Sequence, residues 1–583
     1  MPEPTRDPPP RNGADLVVEC LAQEGVRLVA GVPGTTVMDV IDSLARQDTI
    51  RFVATRHEQV AGFLADGVSR AGGQPGVCLA SRGPGAANLA IAVQNAYDES
   101  VPLLVLIGQV PGSIAGRRAF EEMDIVATFR PMTKWTVEIQ DVLRIPELLQ
   151  RGVRAAVTGR PGPVVVSLPL DVLQAPAPGQ LRPAPRRRSH PPAPAADGVR
   201  EAVELLATAE RPVILLGGGA AGDPGAYLRL AERFDAPVMT TWMRQSAVPH
   251  HHPAYLGALG YGAHDVTERA VRDADVLLAL GCRFSEFTTN GWTLLSATTR
   301  LVHVDIDASE LGRVYVPDVG LVSDARLAAA ALATAAPATA AQATAAPEPG
   351  DAQRTRRRAR LRALRDEFER VSSTGSDDLV ADDPGTGVSS LSAVRVLQRL
   401  ATRDGVLLLQ DAPSFAPWTH RYLRLPRPGS LYASAGGAMA WGLPAGMGIA
   451  LARPDQRVVT VNGDGSFWMV AQDFETCVRE KIGLVNIVMN NFSYGNTRDR
   501  QRTTHGGRYL GVFYGNPDFA DFARSLGGFG RRVETDADLE VAVDEALAQG
   551  RPAIIDVVQD QLYGLPPGLT PPSARWPTSA GPD

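Results

Sequence analysis

A chain of 583 residues is too long for a single hydrophobic core, so roughly two to four domains are expected. Its apolar and charged fractions, 44% and 21%, are those of an ordinary globular protein. A formal net charge of −6 and a pI ≈ 5.9 exclude a chain built as a whole to bind nucleic acid, and the absence of any run of about 18 apolar residues argues against a membrane span.

Met1 to Arg11 is Pro-rich with mixed charge and no apolar segment, so it does not read as a secretory signal. Cys20, Cys78, Cys282 and Cys477 lack metal or redox spacing and read as small core residues in a reducing compartment; the expected location is cytoplasmic. Lys134 and Lys481 are the only lysines, which makes a Schiff-base mechanism unattractive.

Between residues 11 and 174, apolar runs alternate with helical patterns. The runs are Leu28-Val29-Ala30, Ile50-Arg51-Phe52-Val53-Ala54, Val77-Cys78-Leu79-Ala80, Leu103 to Ile107, and Val164-Val165-Val166. This is an α/β pattern. Thr55-Arg56-His57-Glu58-Gln59 closes the second run and opens a helix with apolar residues at Val60, Phe63, Leu64 and Val68. Taken alone, Glu58 is a helix-first-turn carboxylate favoured by the macrodipole. Ser81 to Asn88 is, on the same terms, a Gly/Pro turn before a helix. A Pro/Arg/Ala-rich linker follows from Ala175 to about Ala195.

A second α/β unit spans 196–332, with strands at Val213 to Leu216, Val276 to Leu280 and Leu301 to Val304. His250-His251-His252 cannot converge on one ion and is expected in a surface loop. Residues 333–388 read as a partly disordered linker: an Ala/Thr/Pro tract, a charged helical segment from Arg354 to Arg370, then a polar Gly-rich stretch.

The third unit, 389–565, carries the most specific signal; 566–583 is a Pro-rich tail. Val458 to Asn462 runs into Gly463-Asp464-Gly465-Ser466, and Leu484 to Met489 runs into Asn490-Asn491. Both runs read as buried parallel strands, and the segment between them is long enough for a crossover helix. A carboxylate and a carboxamide therefore reach the C-terminal edge of one sheet, where open α/β folds bind ligands. Such oxygen donors suit a magnesium ion that also holds phosphate. The fold class expected is α/β, with three doubly wound parallel-sheet domains.

The strand-end pair resembles the diphosphate-binding motif of thiamine diphosphate enzymes, and Arg56-His57-Glu58-Gln59 with Ala65 to Arg70 resembles that family's catalytic-glutamate motif. The resemblance covers nearly the whole chain. It implies a pyrimidine-binding, a central and a diphosphate-binding domain, in that order. It also implies magnesium on Asp464, Asn491 and the Ser493 carbonyl, and Glu58 as the catalytic group that activates the cofactor's aminopyrimidine. The cofactor contacts it implies are Gly34, Glu58, Pro84, Asn88, Gly437, Met439, Gly463, Asp464, Gly465, Ser466, Asn491, Tyr494 and Gly495. Met439 is the apolar wedge that bends the cofactor. In this family the site joins two subunits, so a homodimer is the minimum unit implied, with no nucleic acid or membrane partner.

Within the family the sequence is most similar to acetolactate synthases and related carboligases, on Arg56 to Gln59, Phe120, Glu122, Gly159-Arg160-Pro161-Gly162-Pro163 and Leu431 to Pro444. That implies decarboxylation of a 2-keto acid, pyruvate first, and ligation of the resulting enamine to a carbonyl acceptor. No histidine falls between Gln109 and Lys134, where simple decarboxylases carry a His pair. The chain departs from the acetolactate synthase pattern at Glu121, Leu170, Ser285, Phe287, Arg244 and Arg500. Phe120, Glu121, Asn496, Arg498 and Arg500 are the substrate-side candidates; Arg498 and Arg500 read equally as an anion clamp or as a solvated helix face. Gly217-Gly218-Gly219, Gly281-Cys282-Arg283, Asp305-Ile306-Asp307 and Arg160 resemble a flavin-adenine-dinucleotide (FAD) site, but Arg244 adds bulk where the pattern has glycine, so flavin stays open. The alternatives are a non-ligating decarboxylase or carbon–carbon lyase, and a non-catalytic cofactor-binding homologue.

Overall fold

The computed structural model describes residues 10–187, 189–335, 350–375, 386–411, 414–562 and 564–569. Most of the expected tail, and residues 336–349 and 376–385 of the expected linker, lie outside the described residues.

Three six-stranded sheets organise the chain. The first contains β1 (Leu28–Gly31), β2 (Arg51–Ala54), β3 (Gly76–Ala80), β4 (Leu103–Gln109), β5 (Trp135–Glu138) and β6 (Pro163–Pro169). The second contains β7 (Pro212–Leu216), β8 (Val238–Thr240), β9 (Tyr255–Ala258), β10 (Val276–Leu280), β11 (Arg300–Asp305) and β12 (Val319–Val322). The third contains β13 (Val406–Gln410), β14 (Leu431–Ala433), β15 (Arg457–Gly463), β16 (Leu484–Asn490), β17 (Phe529–Val533) and β18 (Ala553–Val558). Central strands such as β4, β6, β10 and β16 are buried at every position, the continuous apolar run that a parallel strand covered on both faces requires. Pairings in all three sheets run parallel.

The first and third sheets share one order, β2-β1-β3-β4-β6-β5 and β14-β13-β15-β16-β18-β17. The middle sheet, read from its β9 edge, has the 3-2-1-4-5-6 doubly wound order. The order in which strands are added reverses between β1 and β3, between β7 and β10, and between β13 and β15, which opens a crevice beyond the strand ends at each point.

The chain forms two compact units: Met1–His190 with Gly436–Asp455 and Trp468–Leu484, and the remainder. In the first unit the helix Gly442–Ala452 packs on the helix Glu58–Gly72 almost backbone to backbone. A Cβ on Gly67 would lie 2.1 Å from the Ala445 carbonyl oxygen, and one on Gly448 2.0 Å from that of Leu64. Asp66, fully buried in this seam, accepts hydrogen bonds from Trp441 Nε1 (2.9 Å) and Arg70 Nε (2.6 Å).

In the second unit, part of the expected linker proves to be core. Asp351–Val371 is a 21-residue helix whose Leu364 and Phe368 join the middle cluster. Arg357, 2% exposed, donates to the carbonyls of Leu206, Ala207 and Ala209 at the end of the helix Ala196–Thr208, and to Phe234 O, at 2.8–2.9 Å. The dense arginines hid a narrow apolar stripe at Leu361, Leu364 and Phe368. The expected surface loop at 250–252 is also corrected in part: His250 is buried, stacked on Tyr255 at 4.1 Å, with Nε2 against Gln245 O at 2.7 Å. Burial pushes its imidazole down to about 3.

Candidate cofactor site

At the end of β15, Asp464 is 2% exposed. Its Oδ1 accepts the Gly465 N–H at 2.9 Å and the Tyr514 hydroxyl at 3.1 Å; its Oδ2 accepts Asn516 Nδ2 at 2.8 Å. These partners are all neutral, and burial pushes the carboxyl up to about 6. Just past β16, the Asn491 Oδ1 accepts the Ser493 N–H at 3.2 Å and its hydroxyl at 3.1 Å. Ser493 bridges antiparallel to Phe513, and Tyr494 meets Tyr514 edge-on at 4.9 Å. A Cβ on Gly465 would lie 2.6 Å from the Tyr514 hydroxyl and 2.7 Å from the Tyr494 ring, so only glycine fits there. Gly495 is equally enclosed, with Ser414 Oγ 2.4 Å from a would-be Cβ. Ser466 Oγ donates to Asp411 at the end of β13, across the crevice of the third sheet. A buried carboxylate and a carboxamide oxygen beside a glycine cradle fit a hard divalent cation and the phosphate oxygens it would hold.

In the first unit, β2 leads into Glu58 at the first position of its helix, behind the His57 cap, whose Nδ1 accepts the Gln59 N–H at 3.1 Å. Glu58 Oε2 accepts Asn88 Nδ2 at 2.8 Å, and a Cβ on Gly85 would lie 3.1 Å from Glu58 Oε1. Both neighbours come from the helix Pro84–Glu99, started by the exposed Pro84. Gly34 lies against Ser81 across the first sheet's crevice, where Thr36 and Ser81 hydroxyls meet at 2.8 Å. Gly437 is exposed with φ +72°, and Met439 is half-buried.

Residues 11–128, 199–332 and 411–557 match, respectively, the N-terminal TPP binding domain, the central domain and the C-terminal TPP binding domain of thiamine pyrophosphate enzymes. The chain is similar along nearly its whole length to a probable acetolactate synthase large subunit of Methanococcus aeolicus, 31% identical over 97% of this chain and 94% of that one. It is 32% identical to the acetolactate synthase isozyme 1 large subunit of Escherichia coli K12, over 95% and 96%. It is 33% identical to a probable acetolactate synthase large subunit of Methanocaldococcus jannaschii, over 97% and 94%.

The chain belongs to the thiamine pyrophosphate enzymes. It is a thiamine diphosphate-dependent enzyme of the acetolactate synthase-like type. Among the described residues, no helix is long and apolar enough to cross a membrane.

Two features of this thiamine diphosphate enzyme are set by its tertiary structure. Tyr514 and Asn516, which hold Asp464, lie about 50 residues downstream in a loop without a motif; the closing of that loop on β15 is a tertiary event. Arg498 and Arg500 do not form one clamp. Two residues along a helix diverge by about 200°, and Arg498 is buried while Arg500 is exposed. Arg498 donates to both Asp499 oxygens at 3.1 Å, to Ser493 Oγ at 3.1 Å and to the Gln561 carbonyl. It braces the Asn491–Ser493 turn. Asn496 is exposed on the same helix. Phe120 is 76% exposed, its carbonyl accepting Arg82 Nε at 2.8 Å, and Glu121 Oε2 lies 3.7 Å from the same nitrogen. That contact ties the 116–124 loop to the turn that leads into the helix of Gly85 and Asn88.

The flavin-like residues are differently disposed. Arg160 is engaged by Ser100 Oγ and Tyr97 O, both at 2.9 Å. In the middle sheet's crevice the Gly217 turn packs directly on Gly281, with Gly219 N–H donating to Gly281 O at 3.1 Å. Arg244 Nε lies 3.1 Å from a Cβ built on Gly218, and its guanidinium reaches Met243 O and Ala433 O at 3.1 and 3.2 Å. Arg244 therefore lies over the Gly218 side of the glycine turn.

Proposed function

We propose that this enzyme decarboxylates a 2-keto acid, pyruvate first, and joins the resulting two-carbon fragment to a carbonyl acceptor, with magnesium as the second cofactor. When bound, thiamine diphosphate would supply a ring carbon that is nucleophilic once deprotonated and an electron sink for the pair released on decarboxylation. Asp464, Asn491 and the Ser493 carbonyl would hold the magnesium, with Tyr514 and Asn516 fixing the carboxylate by its two oxygens. Glu58, oriented by Asn88, would share a proton with the cofactor's aminopyrimidine. Gly34, Pro84, Gly437, Met439, Gly463, Gly465, Ser466, Tyr494 and Gly495 would shape the cofactor's bed. Phe120, Glu121, Asn496 and Arg500 would face substrate, while Arg498 supports the metal turn. Flavin is not part of this proposal. A homodimer is the minimum assembly proposed.

The observation that carries the reading is the desolvated Asp464 carboxylate, surrounded by neutral donors and beside the Asn491 turn. The deciding experiment supplies thiamine diphosphate, magnesium and pyruvate, with and without aldehyde and keto-acid acceptors, and follows products by NMR together with carbon dioxide release. A new carbon–carbon bond supports the carboligase. Acetaldehyde as the only organic product replaces it with a non-ligating decarboxylase. Glu58→Gln should lower turnover by roughly 10²–10⁴-fold; wild-type turnover would remove Glu58 from the mechanism.

A further inference from the structure

We propose that Asp473 is a positioning residue for Glu58: its carboxylate fixes the backbone that leads into the glutamate's helix. The inference rests on the role proposed above for Glu58. Asp473 lies in the crossover between β15 and β16, yet it packs inside the first unit. Its side chain is fully buried. One oxygen accepts the Arg56 N–H at 2.8 Å and the Thr476 hydroxyl at 2.9 Å; the other is buried without a hydrogen-bond partner among the described residues. Burying a carboxylate with one oxygen unpaired is unfavourable, and burial pushes this carboxyl up to about 6. What the arrangement gains is a charge-assisted bond to one amide.

That amide is well chosen. The Thr55 N–H is held by Gly31 O at 2.9 Å, and the Thr55 hydroxyl donates to His57 O at 3.0 Å. His57 caps the helix through Gln59. The first sheet and its own turn thus pin residues 55, 57 and 59, while Arg56 is pinned from the crossover. The neighbouring ion pairs, Arg56–Glu475 at 2.8 Å and Arg51–Glu480 at 2.6 Å, join the same elements but sit at the surface, where water and salt weaken them. The buried bond sets the path of the chain into Glu58.

The test compares Asp473→Ala, Asp473→Asn and Glu475→Gln in the full-length protein with thiamine diphosphate and magnesium. Asp473→Ala removes the acceptor and should lower kcat about 10–100-fold, the cost of misplacing a catalytic group by about 1 Å. Amide hydrogen exchange in peptides spanning 52–60 should rise about tenfold, as loss of one buried hydrogen bond requires. Asp473→Asn keeps an acceptor oxygen and should recover most of both losses. Glu475→Gln, in the surface pair, should leave kcat unchanged. Wild-type exchange at 52–60 in Asp473→Ala overturns the proposal, as does a lower melting temperature with normal kcat. An equal kcat loss in Glu475→Gln also overturns it, since docking in general would then be responsible. Glu58→Gln at wild-type turnover would instead refute the role of Glu58, and the exchange measurement separates that failure from this one.

Discussion

Gly448→Ala puts the packing of the glutamate's helix to a test in which two physical effects oppose each other. Helix propensity alone favours alanine over glycine by about 1 kcal/mol. The tertiary contact reverses this. The new methyl would lie 2.0 Å from Leu64 O, 2.8 Å from Val68 N and 3.0 Å from Leu64 C, and all three atoms are backbone of the facing helix. No side chain can rotate away, so the helices Gly442–Ala452 and Glu58–Gly72 must separate by roughly 1 Å to restore van der Waals distance. Overpacking of this kind costs about 1–3 kcal/mol. A rigid backbone obstacle puts Gly448→Ala near the top of that range, for a net loss of about 2 kcal/mol after the propensity gain. The control is Gly72→Ala in the last turn of the same glutamate helix, where nothing lies within 4 Å of the new methyl; it should be neutral or stabilising by up to about 1 kcal/mol. Urea denaturation of the cofactor-free protein, with midpoints compared at equal slope, reads both. Because the helix begins at Glu58, the moved variant should also lose turnover. Equal stability of the two variants would show that the seam is looser than drawn and that helix propensity governs both sites.

Asp464→Asn should weaken magnesium-dependent thiamine diphosphate binding by about 100-fold or more in calorimetry, since support of a metal ligand alone is worth 10–100-fold; undiminished binding would move the metal elsewhere. Tyr514→Phe removes one of the bonds on Asp464 and should weaken the same binding by about tenfold, with the fold unchanged by circular dichroism. Burial raises the Asp305 carboxyl from 3.8 to about 6, so the folded state holds this proton more tightly than the unfolded one. Its contribution to stability therefore falls as pH rises from about 4 to 6, by up to about 3 kcal/mol, and Asp305→Asn should flatten that part of the stability–pH curve. An unaltered curve would refute the assignment. Arg357→Met leaves four backbone carbonyl partners of the guanidinium without their donor and should destabilise by about 2–4 kcal/mol, measured by urea denaturation; a neutral result would mean that water replaces the guanidinium.

The sequence alone determined the α/β class, the central strands and the strand ends that carry Asp464, Asn491 and Glu58. Buried parallel strands are continuous apolar runs, and a ligand-binding strand end needs glycine and small polar residues at fixed places, so both leave local marks. The edge strand β17 left none: Phe529-Gly530-Arg531-Arg532-Val533 is half-buried and carries two arginines. The connector helix was legible as a helix but not as core, because its arginines outnumber its narrow apolar stripe. Tertiary structure alone decided that Tyr514 and Asn516 hold Asp464, that Arg498 braces the Asn491–Ser493 turn while Arg500 remains exposed, that Arg244 lies against Gly218, and that Asp473 reaches the amide of Arg56. These contacts join residues far apart in the chain or depend on which way a helix faces. Periodicity and spacing describe neighbours along the sequence, whereas the partner of a buried polar group is set by which elements pack against it.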